Sequence, residues 1–411
     1  MKRFSTVAAL ALAMIAAACA ARADARGRIY GRVTTADGET YEGMIRWDTN
    51  EISWIDVLDG TKKLDGPRHP RPGGDSKRIK KIRVFGIDIG SVRTSIDWDY
   101  TSARSGVAFG HIETLEATGG DVALVVLKSG ERVELSSNST DIGGSIRDII
   151  VEDRTRGEIE LEWNDLDTVE FMPAPHGLRS SFGDRLYGTV VSGKGDSFTG
   201  WICWDMDEVA AEDILDGEQR NRSRRIPFGT IASIERRSSS SARITLRNGD
   251  ELVLRDTNDV DDGNRGITVF VKGLGRVVMD WDDFDRIDFE EPEAPAARDD
   301  FDGGRPIEGT VYTADGGSFS GRIRWDDDEQ YTWELLDGEL RGIEIDVEFG
   351  NIASIRRDGC CSALVTLADG TELRLSGTND VDEGNKGIFV TRDDEEEVEI
   401  SWEEFDRLEL R

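Results

Sequence analysis

Histidine is nearly missing. The 411 residues hold only three, His69, His111 and His176. Without it, Ser–His–Asp and Cys–His arrangements have no recognisable spacing. Zinc-ligand spacing and a phosphate-binding glycine loop are absent too. Paired carboxylates are everywhere among 83 acidic residues, so two of them lying near each other carries no information. The chain reads as a non-enzyme. Cysteine is also scarce. Beyond Cys19 there are Cys203, Cys360 and Cys361, an odd number that argues against a disulfide framework. Cys360 and Cys361 are adjacent and form either a vicinal disulfide or two free thiols. Basic residues are outnumbered, 51 against 83, for a net charge of −32. Such a charge repels nucleic acid and anionic membranes, and suits cations or basic partners. No segment offers an amphipathic helix of three turns.

Long apolar runs are confined to the N-terminus. Lys2 and Arg3 precede an apolar stretch from Phe4 to Ala18, and Ala21-Arg22-Ala23 fits a cleavage site. Residues 1–23 are therefore expected to be a secretory signal peptide, too short for a membrane span. Its removal takes away three basic residues and no acid, so the mature chain is more acidic still. Ala16-Ala17-Ala18-Cys19 resembles a lipobox with Ala16 where Leu is usual. Cys19 is thus an alternative lipid anchor. The mature chain is expected to be periplasmic or extracellular, with no membrane span.

What is abundant is repetition. Tyr30-Gly31-Arg32-Val33 aligns with Tyr187-Gly188-Thr189-Val190 and Glu308-Gly309-Thr310-Val311. Trp47-Asp48, Trp204-Asp205 and Trp325-Asp326 coincide, as do Trp163, Trp281 and Trp402. From Thr257 to Phe289 against Thr378 to Leu410, 15 of 33 positions are identical. Three units follow: 28–172, 184–290 and 305–411. Segments 173–183 and 291–304, both containing proline, read as linkers. The first unit carries an insertion at 61–105 with eleven Lys and Arg against five acids. It reads as a charge-neutralising loop or as a contact for an anionic partner.

Within each unit the apolar residues alternate with period two. Ala363-Leu364-Val365-Thr366-Leu367, the Asp369-Gly370 turn and Glu372-Leu373-Arg374-Leu375 form a hairpin. Each unit is also double: 309–355 and 363–408 have similar lengths and each ends in a short turn with two apolar anchors. Val365, Leu367 and Gly370 resemble the start of a Sm-like strand pair. The resemblance implies an all-β fold in which each unit is a pair of small SH3-like or Sm-like barrels. The alternative is one β-sandwich per unit.

Two features stand out as candidate sites. Thr257–Ile267 and Thr378–Ile388 are dense in oxygen ligands. Asn258, Asp259, Asp261, Asp262, Asn379, Asp380, Asp382 and Glu383 are candidate Ca²⁺ ligands, although the order departs from an EF-hand loop. The competing reading is an Asx-type turn that caps backbone amides and inserts Val260 or Val381 into the core. The repeated tryptophans read as packing residues. Trp201, unique to the second unit, is the candidate exposed contact for a sugar or peptide. The expected role is non-catalytic: tandem β modules for protein–protein interaction or structural support in a bacterial cell envelope. Carbohydrate or peptidoglycan binding and Ca²⁺ binding are the alternatives. No cofactor other than Ca²⁺ and no nucleic-acid partner is expected.

Overall fold

A computed structural model describes residues 25–64, 102–137, 139–292 and 294–411, with the backbone of two short strands, Arg83–Val84 and Ile87–Asp88. The leader, Cys19 and most of the insertion at 61–105 lie outside the described residues. The protein is all-β. Strand takes 53 % of the chain, and its only helical pieces among the described residues are three-residue 3-10 turns. No helix there is long and apolar enough to cross a membrane.

Alternation builds the strands. In Ser362–Leu367, Ala363, Val365 and Leu367 are buried and their neighbours half-buried. The following turn closes on Gly370, whose φ of 89° suits glycine, while Asp369 accepts the Thr371 N–H at 2.8 Å.

The strand order of the second unit shows how these hairpins assemble. It runs Gly275–Met279, Ile267–Val271, Ser197–Cys203, Tyr187–Ser192, Phe284–Phe289, Ile231–Ser238, Ser241–Leu246, Glu251–Arg255, Ile214–Glu218, Ser223–Pro227, antiparallel throughout. The first and third units repeat that order. It also reads the same from both ends when the unit's two halves are exchanged. The small closed barrels expected from the sequence are not formed: no sheet closes into a barrel.

The halves instead trade strands. Tyr187–Ser192 of the first half pairs with Phe284–Phe289 of the second, Val190 opposite Ile287. Ser197–Cys203 pairs with Ile267–Val271, Ile202 opposite Val269. A half of this size buries too little surface alone, and exchange lets each half complete the other's sheet. The exchange happens at two connections, 204–213 and 256–266, each of which stays within one half of the sequence but carries the chain from one end of the strand order to the other.

The units also join. Gly275–Met279 of the second pairs with Ile343–Glu348 of the third, making one sheet of 20 strands beside the first unit's sheet of 10. Arg276 on that edge binds Asp346 of the third unit at 2.7 Å and Asp59 of the first at 2.5 Å. Arg185 meets Asp56 at 2.8 Å with both side chains buried, and Arg46 clasps Asp213 through two bonds of 3.0 and 3.1 Å. Lys62, at the start of the basic insertion, is buried against Glu334 and the Asp328 carbonyl of the third unit. The segment 291–304 straps the first unit: Arg298 lies over Trp54, and Phe301 packs edge-on against His111 at 5.1 Å.

Candidate functional site: a recurring carboxylate cluster

All six repeated tryptophans are buried. They pair edge to face at 6.3 Å in every unit: Trp47 with Trp163, Trp204 with Trp281, Trp325 with Trp402. The indole N–H of Trp47, Trp204 and Trp325 donates across the crossover to the carbonyl of Asp141, Asp259 or Asp380, at 2.9–3.0 Å. This bond ties one crossing connection to the other.

The residue after each of these tryptophans continues the latch. Asp48, Asp205 and Asp326 are fully buried at φ of 43°, 50° and 48°, a region unfavourable to side chains larger than glycine. Local hydrogen bonding holds them there. Each accepts a backbone N–H from Arg147, Arg265 or Lys386 at 2.5–2.6 Å, and the same residue's charged group sits beside the carboxylate. Asn258 and Asn379 donate their amides to Asp205 and Asp326.

A glutamate three residues further on completes the cluster. Glu51, Glu208 and Glu329 each pair through backbone with the tryptophan before the turn. In the first unit, carboxylate oxygens of Asp48, Glu51 and Asp141 all lie within 4.8 Å of one another; Asp205, Glu208 and Asp259 do so in the second. In all three units the glutamate's Oε2 is buried with no hydrogen-bond partner. Burial and the neighbouring acids push Glu51 and Glu329 well above the usual carboxylate range, and Glu208 up to about 9. Asp259 rises to about 6, mainly by burial, and burial also lifts Asp141 and Asp380 well above the usual carboxylate range.

The ligand set expected from the sequence is thus redistributed. Of the eight expected Ca²⁺ ligands, only Asp259 and Asp380 bring carboxylates to the clusters, while Asn258 and Asn379 turn amide N–H groups toward them. Each of the two aspartates uses one oxygen to accept a backbone N–H, from Asp216 at 2.6 Å or Asp337 at 2.8 Å. Asp261 and Asp382 fold onto the Gly263 and Gly384 amides of their own turns. Asp262 and Glu383 contribute backbone N–H groups to Ser239 and Cys360. The loop does not gather its own oxygens on a point. Its 3-10 turns, Asn258–Val260 and Asn379–Val381, drive Val260 and Val381 into the core instead. The first unit keeps the same device, with Asp141 accepting the Asp59 N–H at 2.7 Å and Ile142 buried. Sequence reading missed the clustered Glu51, Glu208 and Glu329. The signal was there: Trp-Asp-x-x-Glu occurs once in each unit, at 47–51, 204–208 and 325–329.

Trp201 is not an exposed contact. It is 7 % accessible, packed at 4.9 Å against Tyr187 in a cluster that includes Ile52 and Val57 of the first unit. A neighbour that no local pattern announces covers it. Cys360 and Cys361 are joined as a disulfide, while Cys203 is free and buried. Burial raises the Cys203 thiol above its ordinary value.

The first cluster opens onto a cavity of about 210 Å³ between the first two units. Glu51, Asp141, Asp59, Arg147, Arg276 and Cys203 are among its lining residues. No family model, curated protein or solved structure matches the chain.

Proposed function

We propose that the chain is a non-catalytic exported protein of the bacterial cell envelope, whose tandem β units give structural support or engage other proteins. One observation carries the reading: what recurs in all three units is scaffold. The repeated tryptophans pack against each other, and the acidic loops latch the strand exchange. A body built this way presents a strongly acidic surface, and the partner it suits is a basic protein. The rival reading of carbohydrate or peptidoglycan binding needs exposed aromatic faces, and the repeated tryptophans are all buried. To test the proposal, the full chain is expressed with its own leader in a Gram-negative host, fractionated and cross-linked in intact cells. The expected product is an envelope species lacking residues 1–23, cross-linked to a discrete protein. Retention in the cytoplasm, or co-sedimentation with purified sacculi, would overturn the reading.

A further inference from the structure

We infer that the clusters Asp48–Glu51–Asp141 and Asp205–Glu208–Asp259 are sites for a hard divalent cation of the calcium class, one ion in each. The inference stands apart from the envelope role, since a scaffold or an enzyme could carry such sites.

The spacing of the oxygens fits such an ion. Two oxygens on one calcium ion, each about 2.4 Å from it, are at most about 4.8 Å apart. The three carboxylates of each cluster meet that limit together. A separate observation does not depend on the number of acids. Glu51 is 7 % accessible, and its buried Oε2 has no hydrogen-bond partner in the protein. A buried acceptor without a partner is costly, and a ligand that supplies positive charge removes the cost. The matching oxygen of Glu208 is also buried and orphaned, on a side chain that is itself half-buried.

Charge argues for a divalent ion. In each cluster three carboxylates face one guanidinium, Arg147 on Asp48 or Arg265 on Asp205. Two negative charges remain when all three acids are ionised. Neither arginine is wholly available, because both also reach Asp207, which links the two clusters across the interface between units. All the acidic side chains named offer oxygen and none offers nitrogen or sulfur, which suits calcium or magnesium over zinc or copper.

The third unit supplies an internal control. Its Asp326, Glu329 and Asp380 do not bring three oxygens within the same 4.8 Å limit. There the ammonium of Lys62, inserted from the first unit, is paired with Glu334 and the Asp328 carbonyl beside the cluster. Two ions per chain are therefore expected, not three.

The ions would sit where the two crossing connections meet and would clamp the strand exchange. The test uses the full mature chain, stripped with EDTA and titrated with Ca²⁺ by calorimetry, alongside thermal melts. The expected result is saturable uptake of two ions and a rise in melting temperature of ~5 °C. Glu51→Gln and Glu208→Gln should each remove one ion, and Glu329→Gln neither. As a measure that needs no variant, Tb³⁺ is added to the unaltered protein. Excitation of the adjacent Trp47 and Trp204 should sensitise its emission, and Ca²⁺ should quench it competitively. The proposal is overturned by an absence of saturable heat and sensitised emission at ~1 mM cation, the weak end of extracellular calcium sites. Uptake that persists unchanged in the Glu51→Gln, Glu208→Gln double variant overturns it equally, since it would come from the acidic surface at large.

Discussion

At the scale of single residues, Trp204 does three jobs at once: it fills the core, packs edge-on against Trp281, and donates its N–H to Asp259 across the strand exchange. Trp204→Phe keeps most of the volume and should cost about 1–2 kcal/mol by chemical denaturation, from the lost hydrogen bond and ring contact. Trp204→Ala adds a cavity and should cost about 3–5 kcal/mol. A Phe variant as damaged as the Ala variant would mean that the N–H bond, not volume, dominates. Arg276 is a residue of another kind. Its guanidinium neutralises Asp59 and Asp346 from two different units, so Arg276→Met strands both acids and should cost about 3–5 kcal/mol.

The same junction has a pH signature. Asp337 faces Asp346 directly across the strand pair, and burial with that like charge lifts its carboxyl from 3.8 to about 8. The folded state thus holds this proton more tightly than the unfolded chain does. The stability it contributes is full below about pH 4 and is lost as pH rises toward 8. The EDTA-treated protein should melt lower at about pH 9 than at about pH 6, and Asp337→Asn should shrink the difference. An unchanged difference would place the effect on other carboxyls, such as Glu208, whose raised value of about 9 acts in the same direction.

At the scale of elements, one strand position explains why the second and third units join and others do not. Gly275–Met279 carries Arg276 and Val278 and is paired on both sides. The matching strand of the first unit, Gly157–Leu161, has Glu158 and Glu160 in those places. The third unit's Glu397–Ile400 has Glu397 and Glu399. Among the described residues each of these has a strand neighbour on one side only. Charges on an open edge discourage pairing with another chain. Replacing Glu397 and Glu399 by Val should therefore produce concentration-dependent dimers in light scattering, while the same change at exposed Glu251 and Glu372, away from that edge, should not.

At the scale of the whole molecule, the units are not beads on a string. Trp333 of the third unit completes the core of the first, and Lys62 of the first is buried against the third. Calorimetry should show one cooperative transition for the full chain. Three separate transitions, matching three isolated units, would refute that coupling. An isolated 305–411 fragment should be less stable than the same unit in the chain, because it exposes Trp333 and the Ile343–Glu348 edge.

That the chain is built of strands could be read from the sequence, because alternation and turn glycines are local signals. Val260 and Val381 as core plugs were legible too, as one of two readings of their loops. The exchange of strands between halves was not. Val190 and Ile287 are neighbours in the sheet but lie far apart in the chain, and any alternating strand satisfies the same local pattern. For the same reason small closed barrels and exchanged sheets cannot be told apart by periodicity. The carboxylate clusters were not legible because a loop rich in Asp and Asn looks like a self-contained ligand set, while Glu51 and Glu208, which stand beside Asp141 and Asp259, come from a different connection. Residue by residue, the sequence determined which side chains face inward and where the chain turns. Only the tertiary structure decided which edges meet, that Trp201 is covered, and which carboxylates are forced together. Those outcomes depend on contacts between distant segments, whose free energy no local pattern contains.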